Sequence, residues 1–192
     1  NQIPTESALR FYTEFSNPAQ TVYSWNRALP SSLDMFIRGD LAVYFGYASE
    51  RDAIAKKNPH LNIDAAPVPQ IRGEKVKKTL GRIKGLAIAQ NSKNIQTAFS
   101  VAFVLTGADI AKDFPSVSGF QPARRDLLAQ KPTDGFGAIF YESAIMSRGW
   151  LDPNPKETYT IWKEMVEFIS SGRLTIGEAV SAAAQRLASI TR

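Results

Sequence analysis

"DLAVYFGYASE", residues 40–50, sets a compact apolar run, Leu41-Ala42-Val43-Tyr44-Phe45, directly against Gly46 and one more aromatic, Tyr47. Short length with branched and aromatic residues predicts a β-strand over 41–45. Side chains alternate across a strand, and here Tyr44 and Phe45 are both expected to be core. Gly46 ends the run. Tyr47 then has two readings: a ring delivered to the mouth of a binding site, or one more packed aromatic. In open sheets, ligands gather where loops leave the strand ends, which favours the first.

Upstream of this stretch, Ser31 or Ser32 caps a short helix with Leu33, Phe36 and Ile37 on one face, and Gly39 stops it. Before it, Ala8, Leu9, Phe11, Tyr12 and Phe15 recur at helical spacing, with Thr5 or Ser7 as N-cap and Asn17-Pro18 as the stop. Residues 17–30 read as a loop carrying Tyr23, Trp25 and Asn26. Downstream, residues 50–57 read as a short helix. Residues 62–69 hold two prolines, which fits an edge or crossing strand. A polar, basic loop follows at 71–79, then a second strand at 82–89 and a helix at about 93–106 capped by Asn91 or Ser92. Residues 114–137, rich in Pro and Gly, read as mostly irregular, with a helical turn near 123–129. Helices are expected at 138–147, at 156–171 ending at Gly172, and after Thr175 to the end. Trp162 is expected in the core.

The chain has 192 residues, enough for one domain or two small lobes, and is expected to bury roughly 70% of its unfolded surface. It contains no cysteine, which excludes disulfides, thiolate metal sites and thiol nucleophiles. No apolar stretch approaches the ~20 residues of a membrane helix, and no signal peptide is visible. The chain starts Asn1-Gln2-Ile3-Pro4, which reads as a cut or processed piece, so the missing signal does not argue for the cytoplasm. The net charge of +5 gathers at Lys56, Lys57, Lys75, Lys77, Lys78, Arg82 and Lys84. No nucleic-acid motif accompanies it, so a solvated basic loop is preferred and no nucleic-acid partner is expected.

No catalytic constellation is present. His60, the single histidine, stands in a Pro59-His60-Leu61 turn without a second ligand. No Gly-x-Ser-x-Gly elbow occurs, and Gly81 and Gly85 do not make a nucleotide loop. Asp40, Glu50, Asp64 and Glu142 are too scattered for a glycosidase pair. The reading is therefore a non-enzyme, with no cofactor and no metal. The aromatics carry more. A sugar presents flat C–H faces ringed by hydroxyls, so its site pairs an aromatic platform with planar hydrogen-bonding groups. Trp25-Asn26-Arg27 is such a cluster, and Tyr47 is another candidate.

Four segments in this order, "FIRGDLAVYFGYASE" (36–50), "NIDAAPVPQ" (62–70), "GRIKGLAIAQNSKNIQTAFSVAFVL" (81–105) and "TIWKEMVEFISSGRLTIGEAVSAAAQRL" (160–187), resemble the C-terminal half of an extracellular, periplasmic-type solute-binding protein of the carbohydrate-importing ABC transporters, family 1 type. The resemblance covers nearly the whole chain. It implies an α/β, periplasmic-binding-protein-like (type II) fold, of which this chain would be the helix-rich C-terminal half with few strands. It implies residues 1–66 as part of the C-terminal lobe, 67–130 as crossing strand and part of the N-terminal lobe, and 131–192 as C-terminal lobe helices. It further implies capture of a sugar or oligosaccharide in an inter-lobe cleft, closure about the crossing strands near Ala65 to Pro69, and delivery to membrane permease subunits. The location implied is extracellular or periplasmic, compatible with a membrane-anchored lipoprotein. The ligand-binding set read from the residues and the resemblance together is Trp25, Asn26, Gly46, Tyr47, Arg82 and Tyr159. Two other classes stay open: a non-catalytic interaction domain, and a binding protein for another solute such as an amino acid or peptide. An enzyme on a similar scaffold is a third, for which no residues stand out.

Overall fold

The computed structural model describes residues 2–73 and 75–191. In chain order the elements are α1 (Gln2–Glu14), α2 (Ser32–Arg38), a 3₁₀ turn (Ala48–Glu50), α3 (Arg51–Lys57), β1 (Thr79–Leu80), α4 (Ile95–Leu105), α5 (Ala108–Ala111), α6 (Phe114–Ser118), α7 (Arg125–Leu128), α8 (Gly135–Met146), β2 (Ser147–Arg148), α9 (Pro155–Ser170) and α10 (Ile176–Ile190). The fold is helix-rich with one pair of parallel strands among the described residues. None of these helices is long and apolar enough to cross a membrane.

The chain divides into two compact units, residues 1–29 with 150–192, and residues 30–149. The first unit has a core of its own. Leu9 of α1 packs with Ile161 and Met165 of α9 and with Ala179, Val180 and Ala183 of α10, all buried. Ile161 and Met165 lie four residues apart, as do Ala179 and Ala183, so each helix turns one stripe inward. The alanines leave room for α10 to lie close against α9. The helix ends are chemically closed: Asn154 accepts from the Glu157 N–H, and Thr175 accepts from the Glu178 N–H while the Glu178 carboxylate accepts from the Thr175 N–H at 2.9 Å. Arg186 of α10 reaches back to both Glu157 and Glu164 of α9. Thr158, the buried polar side chain of this core, donates to the Asp152 carboxylate at 2.8 Å.

The second unit is built differently. Ile54, Leu128 and Pro122 are its only buried side chains among the described residues. β1 and β2 share a two-rung parallel ladder, Thr79 opposite Ser147 and Leu80 opposite Arg148. The Thr79 hydroxyl donates to the Ser143 carbonyl at 2.8 Å and ties the ladder to α8. The Gly81 N–H extends it by one bond to the Arg148 carbonyl. A Cβ at Gly81 would fall 2.7 Å from the Ser147 Cβ and 2.8 Å from its Oγ, so a side chain at 81 would collide with that of Ser147.

Several sequence expectations hold. Ser31 caps α2, and Gly39 closes it at φ +84° with its N–H on the Phe36 carbonyl. Thr175 caps α10, and the helices expected near 50–57, 93–106, 138–147 and 156–171 are present within a few residues. Others need correction. α1 begins at Gln2, so Thr5 and Ser7 lie inside it rather than capping it. The helical turn expected near 123–129 is present as α7, whereas α6, at the start of the stretch expected to be irregular, is an addition.

The expected strands at 41–45 and 82–89 and the extended segment at 62–69 form no ladder. The reason is physical: a strand exists only with a neighbour to share its N–H and C=O groups, and no described segment offers these three an edge. Phe45, expected in the core, is 68% exposed, and Trp162 is 41% exposed.

The shortfall in burial is large. The accessible area is 14745 Å². A compact monomer of this mass would expose about 9,000 Å², and two separate compact domains of these sizes about 11,000 Å². Against an unfolded chain of about 31,000 Å², folding removes about half of the surface instead of the expected 70%.

Candidate functional site

Within the second unit, residues 44–50 form a braced corner. The Glu50 carboxylate accepts from the Tyr47 N–H at 2.8 Å and from the Tyr44 hydroxyl at 3.1 Å through the same Oε2 atom. Glu50 stands three residues after Tyr47, the spacing by which a glutamate closes the start of a helical turn. The Tyr44 ring stacks on Phe36 of α2, centroids 5.5 Å apart and 29° between planes. Burial, then the negative charge and the hydrogen bond of Glu50, push the Tyr44 hydroxyl up to about 12. Gly46 sits under this brace. A Cβ there would lie 2.4 Å from Tyr44 Cε1 and 2.5 Å from Glu50 Oε2. Gly46 is thus required for close approach, and its φ is not positive.

The corner presents the half-buried Tyr47 ring to Arg82. The guanidinium carbon lies 4.4 Å from the ring centroid. Two residues on, Lys84 Nζ lies 4.5 Å from the centroid of Phe120. Arg82 and Lys84 thereby direct their side chains onto rings from two other segments, and Gly119, next to Phe120, approaches Ser49 closely enough that an added Cβ would touch its backbone at 3.5 Å. Arg82 makes no hydrogen bond or ion pair among the described residues, nor does the Tyr47 hydroxyl. The ring therefore holds a planar, permanently charged fork of donors whose hydrogen-bonding capacity is open to a ligand.

Nearby in the same unit a shallow cavity of about 220 Å³ is lined by Arg51, Ile54, Asn58, Pro59, Leu61 and Phe136, among others. Arg51 lies over the Phe136 ring at 4.5 Å. Asn58 donates through Nδ2 to the Ile37 carbonyl at 2.6 Å, which leaves its amide half committed. This cavity is below the roughly 300 Å³ where small-molecule sites usually begin.

In the first unit, Trp25 is half-buried, its ring 5.4 Å from that of Tyr12 and tilted by 40°. Asn26 uses its carbonyl to accept from the Ala28 N–H at 2.8 Å and its amide to donate to the Tyr23 hydroxyl. Two of its four side-chain hydrogen-bonding positions are spent on shaping the loop. Arg27 reaches Glu167 at 3.5 Å, so it braces the loop against α9. Tyr159, in the first turns of α9, is 68% exposed and stacks on no other ring among the described residues.

Of the six expected ligand residues, Gly46, Tyr47 and Arg82 thus come together in one unit, and Trp25 and Asn26 adjoin each other in the other, with Tyr159 apart on its helix. Sequence reasoning missed Glu50 as the brace, although its three-residue spacing from Tyr47 was readable. It also missed Tyr12, Phe120 and Phe136 as ring partners, which no local signal announces. Among the described residues no group of His, Asp or Glu converges in a way that would hold a metal ion. Scanned against protein-family models the chain matches none, and a search of curated proteins returns no match.

Proposed function

We propose that this chain belongs to the substrate-binding component of a bacterial ABC importer, with the type II periplasmic-binding architecture, acting outside the membrane on a sugar or oligosaccharide. The observation that carries the proposal is the Arg82 fork seated on the Tyr47 ring at 4.4 Å with no hydrogen-bond partner of its own. A planar fork of free donors held on an aromatic ring suits the hydroxyls of a pyranose, with its C–H groups resting on the ring surface that the guanidinium leaves uncovered. In the other unit, Trp25 with the remaining valences of Asn26, and separately the exposed ring of Tyr159, are candidate sugar contacts in their own right. The order of the four sequence segments supports the same reading. Capture is non-covalent, in a cleft between lobes, and the loaded protein is handed to permease subunits. No step of this function calls for a nucleophile or a general base.

The test is thermal unfolding against a panel of mono- and oligosaccharides, with amino acids and short peptides as a second panel. A ligand that binds only the native state stabilises it by about 2.7 kcal/mol at a hundredfold excess over its Kd, so the midpoint climbs with concentration. A saccharide-dependent rise that Tyr47→Ala or Arg82→Ala abolishes is the expected result. A rise with amino acids or peptides alone moves the assignment to that solute class. No rise with any saccharide sinks the carbohydrate proposal.

A further inference from the structure

Residues 82–89 leave the end of β1 and run on without a neighbour. Beyond Gly81 no backbone hydrogen bond is made by residues 82–88 among the described residues. Their sequence, Arg-Ile-Lys-Gly-Leu-Ala-Ile, has strand composition and no acid. Ile83 is 76% exposed and Leu86 61%.

The helix that follows is in the same condition. α4 carries apolar residues nearly all round, and Ile95, Phe99, Val101, Phe103, Val104 and Leu105 are exposed. A helix that is apolar all round belongs in the interior of an assembly.

We infer that residues 82–89 with α4 form a docking surface for an acidic, strand-donating polypeptide that lies outside these 192 residues. Charge selects this occupant. Between residues 65 and 108 the sequence holds Arg72, Lys75, Lys77, Lys78, Arg82, Lys84 and Lys93 against the single acid Glu74. None of these cations forms a salt bridge among the described residues, and Arg82 and Lys84 rest on aromatic rings. A second copy is the wrong partner: paired in register it would set Arg82 against Arg82 and Lys84 against Lys84, and in the opposite sense it still brings no carboxylate. A partner strand with alternating branched residues and acidic flanks supplies the missing ladder, covers Leu86 and Ile88, and neutralises the basic rim. The surface shares Arg82 with the proposed sugar site, but the inference rests on the unpaired run and its charge rather than on sugar capture, and its test uses the strand peptide with no saccharide present.

The test is amide hydrogen exchange on the whole chain with a synthetic strand, Asp-Glu-Val-Thr-Ile-Thr-Val-Glu-Asp, beside its counterpart with lysine in place of every acid. The acidic strand is expected to slow exchange at 82–88 by about tenfold or more, since opening of a paired ladder then limits the rate. The protection should fade with salt, and Leu86→Pro, which removes a ladder donor at an exposed position, should abolish it. The triple variant Lys77→Glu, Lys78→Glu, Lys84→Glu should transfer the preference to the basic strand. Equal protection by both strands, or none by the acidic one at millimolar concentration, overturns the inference. So does slow exchange at 82–88 in the chain alone. Protection that grows with protein concentration together with dimers in sedimentation velocity assigns the surface to a second copy and overturns it too.

Discussion

Replacing Gly46 with alanine tests the corner that holds Tyr47. The added Cβ would sit 2.4 Å from Tyr44 Cε1, 3.0 Å from Tyr44 Cζ and 2.5 Å from Glu50 Oε2. Carbon atoms in contact prefer ≈ 3.5–4.0 Å, so something has to move by about 1 Å or more. The Glu50 carboxylate can swing away, but it then releases the Tyr47 N–H and the Tyr44 hydroxyl. Hydrogen bonds to charged groups are worth about 1.5–3 kcal/mol each, less at a half-exposed corner. The Tyr44 ring can move only by giving up its stack on Phe36, worth about 0.5–1.5 kcal/mol. A local cost of about 2 kcal/mol follows, which is a roughly thirtyfold rise in opening. Gly46 has no positive φ, so backbone strain adds nothing and the whole effect is steric.

Amide exchange at Tyr47 reads this directly, because that N–H is held by Glu50. Because Glu50→Ala itself frees the Tyr47 N–H, the mutant cycle is read by urea unfolding, and it decides the cause. In a Tyr44→Ala, Glu50→Ala background both obstacles are gone, and Gly46→Ala should cost less than about 0.5 kcal/mol. An undiminished cost in that background would refute the steric account.

Two further predictions concern the first-unit core and the alkaline limb. Ile161, 1% exposed at the centre of the α1, α9 and α10 cluster, should cost about 2–5 kcal/mol as Ile161→Ala, read by urea unfolding followed through tryptophan fluorescence; a loss under about 1 kcal/mol would mean that the three helices do not pack as one core. Tyr44 titrates near 12 in the folded chain against its ordinary 10, so the folded state keeps a proton that the unfolded state gives up, and its contribution is complete below pH 10 and drains away as the pH rises towards 12. Ultraviolet titration of the phenolates checks this: one tyrosine should ionise late, and Glu50→Gln should bring it part of the way back, since burial, the larger cause, remains.

What the sequence disclosed and what it withheld divide along a physical line. Caps and stops are local. Ser31 reaches Asp34 and Thr175 reaches Glu178, three residues away in each case, so the composition of a few neighbours settles them. The core stripe of α9 is local as well, because Ile161 and Met165 repeat at the period of the helix. A strand is not local. Leu41 to Phe45 has every compositional mark of one and forms none, because the ladder depends on a second segment that no short window can name. The candidate site splits the same way. Tyr47 and Gly46 were readable from one run of residues. The partnership of Tyr47 with Arg82, thirty-five residues on, and of Lys84 with Phe120, was set by how the unit folds.

The unpaired run at 82–89 and the free guanidinium are connected. Both begin at the end of β1, where the ladder with β2 stops after Gly81. If 82–89 gained a neighbour, alternation would fix the even-numbered side chains on one face, and Arg82 would be pinned over Tyr47 from the backbone rather than by the ring alone. A cation–π contact at an exposed position is worth only about 0.5–1 kcal/mol, too little to hold a long side chain in one place. Ordered backbone beneath it would convert a transient donor fork into a fixed one, and a fixed fork loses less entropy when it binds. Docking at 82–89 is therefore expected to tighten any ligand that uses Arg82, and by reciprocity such a ligand should tighten docking by the same factor. The acidic strand and a saccharide that shifts the unfolding midpoint, titrated together, should each lower the other's apparent Kd; independent binding would show that the ring alone already fixes the guanidinium.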